Sequence, residues 1–285
     1  MRFRLILTFS LCFTGTFSQV IERPAIWGVA KMTFLVSDFN VAREYYGKFL
    51  GFDEAFNYDT DKGKIISFKI NDRQFIEFLE DVRTKDKPRL VSVSLETEDA
   101  GKMLNYFKTS GWEVPETTSL DGAGNVVFLT KDNSGNPVEF IEFNENGLHR
   151  QSKGKYLSDE RISKRIHHAG LYVKEISDED PFYSGLLKFV PILRYPDDKN
   201  QDPVMIYFGM ADCAESIEHY LSDDVNISHP CFLVEDMQET VYTLKERNSG
   251  RLSGKPMIGK GKRWILNLNN PDGTRVEFTE AFVVR

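Results

Sequence analysis

Cysteine and histidine are scarce in this chain of 285 residues, with three of the one and five of the other. Three cysteines build no disulfide framework. Cys12 falls in the apolar N-terminal run, which leaves Cys213 and Cys231. These two either pair in an oxidising compartment or, the preferred reading, stay apart with Cys231 as a small buried residue of its strand. Positive charge is not in excess either: 36 lysines and arginines stand against 43 aspartates and glutamates, a formal net charge of −7. Such a surface attracts neither nucleic acid nor an anionic membrane, so no nucleic-acid partner is expected. Long apolar runs are absent. The N-terminal one, Leu5 to Phe13, is shorter than the ~20 residues a membrane-spanning helix needs, and no stable membrane insertion is expected.

That run follows Met1-Arg2-Phe3-Arg4 and leads into Thr14-Gly15-Thr16-Phe17-Ser18. A positive start, a short apolar stretch and a small-residue exit describe a signal peptide over 1–18. The protein is expected to be exported, either periplasmic or secreted. Beyond it, 41% apolar and 28% charged residues describe an ordinary globular chain, long enough for two modest domains.

Ala25 to Val36 alternates as a strand and ends at Asp38, a good helix N-cap. Val41, Ala42, Tyr45, Tyr46, Phe49 and Leu50 then form the apolar stripe of a helix that Gly51 stops. Strands follow near 65–70 and 74–79. The order repeats: a strand at 90–97, a helix capped by Asp99 and closed by Gly111, and strands at 126–130 and 137–143. A polar connector, 146–164, contains His149, read as solvated. Then the whole plan returns with a nearly constant offset. Lys31 and His168 head strands 137 positions apart, as do Ser92 and His229. Gly135-Asn136-Pro137-Val138-Glu139-Phe140 matches Gly273-Thr274-Arg275-Val276-Glu277-Phe278, and Glu77 and Glu218 each follow an isoleucine. The chain is internally duplicated, with modules at 25–145 and 165–285.

In the second module two imidazoles and two carboxylates stand on four separate strands: His168, Glu218, His229 and Glu277. Glu218 depends on register, since a slip of one residue turns His219 inward instead. His167 should face away from His168 and serve structure.

A strand opening His168-Ala169-Gly170-Leu171-Tyr172-Val173, a helix closing on Phe49-Leu50-Gly51-Phe52, and a strand led by Pro271-Asp272-Gly273 and ending Val276-Glu277-Phe278 resemble the vicinal oxygen chelate superfamily. Glyoxalase I, methylmalonyl-CoA epimerase, extradiol dioxygenases and the bleomycin resistance proteins belong to it. The resemblance covers residues 25 to 282. It implies an α+β fold of two tandem modules, each a pair of βαβββ units closing an open mixed β-barrel. It places metal ligands at His168, Glu218, His229 and Glu277, and so one divalent ion (Fe, Zn, Ni, Co or Mn) in the second module. In the first module the matching positions hold Lys31, Glu77, Ser92 and Glu139. A lysine there repels a cation, so that site is expected to be metal-free, with Lys31 neutralising Glu77 or Glu139.

The resemblance implies an enzyme that chelates adjacent oxygens of a small metabolite and stabilises an enolate or oxyanion, of lyase or isomerase type. Glu218 or Glu277 would be both ligand and catalytic base. A Fe(II)-dependent dioxygenase is the second reading. Its branch carries a tyrosine where this chain has Asn267, and a histidine after His229 where this chain has none. A third reading is a binding protein of the bleomycin-resistance type, without turnover. The stretch from Gly254 to Arg263 carries Lys255, Lys260, Lys262 and Arg263. It is read as a solvated hairpin loop or as a clamp for an anionic small-molecule substrate. The assembly is expected to be a monomer or a homodimer.

Overall fold

The computed structural model describes residues 22–81, 88–177, 179–224 and 226–284. The expected signal peptide lies outside them. The first half contains β1 (Ile26–Val36), β2 (Asp53–Thr60), β3 (Gly63–Lys69), β4 (Phe75–Glu80), β5 (Leu90–Thr97), β6 (Ser119–Leu120), β7 (Val126–Lys131) and β8 (Pro137–Glu142). They form one sheet in the order β2-β3-β4-β1-β5-β8-β7-β6. The second half contains β9 (Ile166–Val173), β10 (Val190–Tyr195), β11 (Met205–Gly209), β12 (Ser216–Leu221), β13 (His229–Val234), β14 (Met257–Ile258), β15 (Arg263–Asn269) and β16 (Arg275–Val283). Its sheet runs β10-β11-β12-β9-β13-β16-β15-β14, the first order with eight added to every label. The fold is α+β: two tandem modules, each two βαβββ units curled into an open half-barrel.

Strand direction sets up the site. In each unit the last strand lies parallel to the first, as β12 does to β9 and β16 to β13, while β9 and β13 run antiparallel side by side. The four strands carrying His168, Glu218, His229 and Glu277 are therefore neighbours at the centre of one sheet. Side chains alternate across a strand. On β12, Ser216, Glu218 and Tyr220 face the concave side. Ile217 and His219 are buried on the other, where the His219 ring packs on Tyr183 and Phe208.

Aspartates open the helices. Asp38 caps α1 (Phe39–Ala42), Asp99 caps α2 (Ala100–Thr109), and Asp236, after the short α3 (Leu148–Gln151), caps α4 (Met237–Asn248), each accepting from backbone N–H groups. One expectation needs correcting: α1 passes into a π-helical turn over Arg43–Phe49, where Leu50 N donates to Tyr45 O at 2.9 Å. The apolar stripe there recurs every four residues, wider than the 3.6 of an α-helix. An i→i+5 turn keeps Tyr45, Tyr46 and Phe49 all buried. Strand β2, with Glu54, Asn57 and Asp59 on the sheet edge, carried too little apolar pattern to be read in advance.

The convex faces of both sheets and the helices share one apolar core. Phe52 packs on Phe232 with ring centroids 5.1 Å apart, and Phe107 on Phe182 at 5.9 Å. The Tyr106 hydroxyl donates to Leu186 O at 2.7 Å. Each buried phenyl contributes roughly 2–3 kcal/mol, so contacts of this kind hold one module to the other. The connector joins in: Ile162 N donates to Leu50 O, and a Cβ on Gly51 (φ +78°) would lie 2.1 Å from Glu160 O. No helix among the described residues is long and apolar enough to cross a membrane. Among the described residues Cys213 and Cys231 are unpaired, with Cys231 fully buried.

Candidate metal centre

His168, Glu218, His229 and Glu277 converge on the concave face of the second sheet, each at most 3% exposed. Glu218 Oε2 lies 3.6 Å from His168 Nε2 and 3.4 Å from His229 Nε2. Glu277 lies 3.7 Å from the first nitrogen and 3.9 Å from the second. One donor atom each from His168, Glu218 and His229 can be chosen within 4.8 Å of one another. Room for the His229 ring comes from the strand opposite. Gly170 pairs with His229, and a Cβ there would sit 2.1 Å from the imidazole Cε1.

These groups fit a divalent cation. Glu218 Oε2 and His229 Nε2 are buried without a hydrogen-bond partner among the described residues. Leaving such atoms unmet costs about 1–3 kcal/mol each, more for a charge. A cation between them would satisfy both. His229 is preset for it: Nδ1–H donates to Ile227 O at 2.8 Å, which leaves the Nε2 lone pair facing Glu218. Burial and the Arg275 charge push the His229 imidazole well below its ordinary value, so it is neutral.

The two carboxylates differ. Burial opposes ionisation of Glu218, but hydrogen bonding to His168 and the Arg275 charge outweigh it and hold its carboxyl below the usual carboxylate range. The Tyr207 hydroxyl donates to its other oxygen at 3.0 Å. Burial and the nearby Glu218 charge push Glu277 up, against the pull of His168 and Arg275. Arg275 donates to Glu277 Oε2 at 2.5 Å and to Asn267 Oδ1 at 2.8 Å. Arg275 was not among the expected site residues. Its only signal was its place two residues before Glu277, hence on the same face.

His167 is the clearest correction. It does not face away: its Nδ1 is 2.9 Å from His168 Nδ1, and it lines the cavity. The cause is a β-bulge. Register steps from Cys231↔His168 to Phe232↔Ile166 and skips His167, so consecutive side chains share a side. The first sheet has the same step, from Leu95↔Val29 to Ser94↔Lys31, with Ala30 skipped.

Above the centre opens a cavity of about 560 Å³. Its walls are Ile192, Leu193, Met205, Met257, Ile258 and Ile265, and Lys260, Arg263 and Arg275 bring positive charge into it. The stretch from 254 to 263 is therefore part of the cavity rim, not only a solvated loop. Lys260 donates to Tyr220 OH at 2.7 Å and sits over the Tyr195 and Tyr220 rings.

In the first module Lys31 Nζ lies 3.0 Å from Glu77, 3.4 Å from Glu139 and 3.7 Å from Asp121. Burial opposes the ammonium, but Glu139, Glu77, Tyr58 and Asp121 outweigh it and raise its pKa. His149, expected in solvent, is 1% exposed. It contacts Glu77 Oε1 at 3.1 Å and Asn125 at 2.9 Å, among the rings of Phe56, Phe75 and Phe143. Ser92 is buried, but it is Ser94 that donates to Glu139, at 2.7 Å.

Residues 28–140 match the family model of the Glyoxalase/Bleomycin resistance protein/Dioxygenase superfamily. Among solved structures, a histidine-to-glutamine variant of homoprotocatechuate 2,3-dioxygenase from Brevibacterium fuscum is similar at TM-score 0.71 and 15% identity, over 92% of this chain and 73% of that one. The anaerobic complex of that dioxygenase with 3,4-dihydroxyphenylacetate gives TM-score 0.68 at 15% identity, over 92% and 82%. At such identity the likeness is one of fold. No curated protein sequence matches the chain.

Proposed function

We propose that this chain, a member through its first module of the Glyoxalase/Bleomycin resistance protein/Dioxygenase superfamily, is a metalloenzyme whose second module works on a small metabolite with two adjacent oxygens. The observation that carries this reading is the pair of orphaned, buried atoms, Glu218 Oε2 and His229 Nε2, facing each other at 3.4 Å. His168, Glu218, His229 and Glu277 would hold one divalent ion. When bound, such an ion polarises a substrate carbonyl and stabilises the developing oxyanion.

The protein's own residues divide the remaining work. Glu218 is held as a strong anion and suits a permanent ligand. Glu277, pushed up by burial and by Glu218, suits a proton shuttle. A carboxylate beside the metal position gives lyase or isomerase chemistry its proton acceptor. Arg275, hydrogen-bonded to Glu277, is placed to stabilise that carboxylate whenever it is charged. The apolar walls offer a non-polar surface to the rest of the substrate. Lys260 and Arg263 suit a substrate with an anionic group. A second reading, a Fe(II)-dependent dioxygenase, draws on the likeness in fold to the dioxygenases. Asn267, engaged by Arg275, stands where that branch carries a tyrosine.

The test is elemental analysis of protein purified without chelator, beside His229→Ala. About one transition metal per chain is expected, with affinity reduced more than ~100-fold in the variant, since even outer partners of a ligand are worth 10–100-fold. Iron would favour the dioxygenase, and nickel, zinc, cobalt or manganese the lyase or isomerase. A wild type that takes up none of these ions overturns the enzyme reading and leaves a binding protein.

A further inference from the structure

The two histidines of the proposed centre do not present themselves alike. His229 offers a lone pair at Nε2, because its hydrogen sits on Nδ1 and is given to Ile227 O. His168 is held the other way. A guanidinium only donates, so Arg263, 2.7 Å from His167 Nε2, makes that nitrogen an acceptor. The neutral His167 ring then carries its hydrogen on Nδ1 and donates it to His168 Nδ1 at 2.9 Å. His168, accepting at Nδ1, carries its own hydrogen on Nε2. The neighbourhood of Nε2 agrees: it faces Glu218 at 3.6 Å, Glu277 at 3.7 Å and, at 3.5 Å, the Tyr207 hydroxyl, whose hydrogen goes to Glu218. In that state Nε2 has no lone pair for a metal.

We propose that Arg263 is a latch on the metal centre, and that a cation takes His168 only when this hydrogen-bond chain reverses and Arg263 lets go of His167. The inference rests on His168 being a ligand, as proposed above. In the reversed chain His168 donates from Nδ1 to His167 Nδ1, and His167 carries its hydrogen on Nε2, where a guanidinium cannot remain at hydrogen-bond distance. One hydrogen leaves His168 Nε2 and one arrives at His167 Nε2. Both rings stay neutral and no proton is gained or lost overall. Arg263 lines the cavity, so once released it is a cation free to meet an anionic group there. Metal at His168 and an anionic group at Arg263 then favour each other's binding.

Arg263 is thus a positioning residue whose removal acts opposite to ordinary damage near a metal site. Zn²⁺ affinity, measured by chelator competition, should become about tenfold tighter in Arg263→Met, because the metal no longer has to break a charge-assisted hydrogen bond. Long-range ¹⁵N–¹H spectra of the wild type should place the His167 hydrogen on Nδ1 without Zn²⁺ and on Nε2 with it. Unchanged or weaker binding in Arg263→Met, or a His167 hydrogen that stays on Nδ1 in the loaded protein, overturns the latch. A wild type that binds no Zn²⁺, Fe²⁺, Mn²⁺, Co²⁺ or Ni²⁺ overturns the metal reading itself. The two failures are distinguishable.

Discussion

Strand for strand, Lys31 on β1 stands where His168 stands on β9, and Glu77 and Glu139 stand where Glu218 and Glu277 do. Thr33 opposite Ser92 takes the place of Gly170 opposite His229. In the first cup the positive charge is covalent: one ammonium meets three carboxylates within 3.7 Å, and His149 with Asn125 fills what is left. In the second cup the chain supplies imidazoles and, among the described residues, leaves Glu218 Oε2 and His229 Nε2 without hydrogen-bond partners. One backbone plan therefore supports two electrostatic solutions. A ring the size of imidazole fits on β13 only because β9 has a glycine across from it, and two small polar side chains fill the same space in the first module. Function is decided by a few side chains and their opposite numbers, not by the sheet.

The largest way to break this contrast is Lys31→Met. Removing one partner of a buried ion pair costs ~3–5 kcal/mol, because the other charges stay behind, and urea unfolding at pH 7 should read that loss. The pH dependence has a definite sign. Burial opposes ionisation of Glu77, but Lys31, His149 and Tyr58 outweigh it and depress its pKa. Its contribution is therefore present above an unfolded value of about 4.3 and is lost as pH falls through the lower folded value. The Lys31 pKa is raised, so its contribution is complete below about 10.4 and is lost as pH rises through the folded value. The gap between wild type and variant should be flat in between and narrow on either side. A variant as stable as wild type at pH 7 would remove the ammonium from its central place in the first cup.

A smaller effect is expected of His149→Phe. The ring stacks on Phe143 and meets Phe56 and Phe75 edge-on, so a phenyl keeps the packing. What goes is the contact to Glu77 and Asn125, worth roughly 1–3 kcal/mol for buried groups left unmet. Metal content should not change, since the second cup is untouched. Gain of a second ion per chain in this variant would show that His149 is what keeps the first cup closed to metal.

Much of this was legible in the residues because duplication multiplies weak signals. The nearly constant spacing between Lys31 and His168, Ser92 and His229, and the two Val-Glu-Phe strings pointed to the duplication, and the family resemblance supplied the βαβββ units. Alternation left Glu218 and His219 on opposite faces, and only the family resemblance chose Glu218 as the inward one. Less legible was anything set by irregular backbone or by contacts distant in sequence. Nothing in Ile166-His167-His168 announces a bulge, so simple alternation turns His167 to the wrong face. His149 lies on α3, too short to show a stripe, and is buried by partners up to 93 residues away in sequence, such as Phe56. The π-helical turn was present as a four-residue period but is rare enough to be read as an ordinary helix.

The smallest expected effect belongs to Lys260→Met. Lys260 is exposed, and it spans the two edges of the second sheet, from the β14–β15 hairpin to Tyr220 on β12 and the Tyr195 ring on β10. A cation over an aromatic face at an exposed site is worth ~0.5–1 kcal/mol, and methionine keeps much of the apolar stem. Global stability should therefore move by less than about 1 kcal/mol. The local consequence is larger in kind. Strand β14 is two residues long and held by a single ladder to β15, so without the Lys260 contacts its amides should exchange faster while those of β9 and β12 do not. The first module supplies the control: β6 is equally short, and from the turn beyond it Asp121 reaches the buried Lys31. Its amides should exchange as before. Loss of several kcal/mol on Lys260→Met would place this lysine in the framework of the second cup, where the structure now makes it a fastening of the rim.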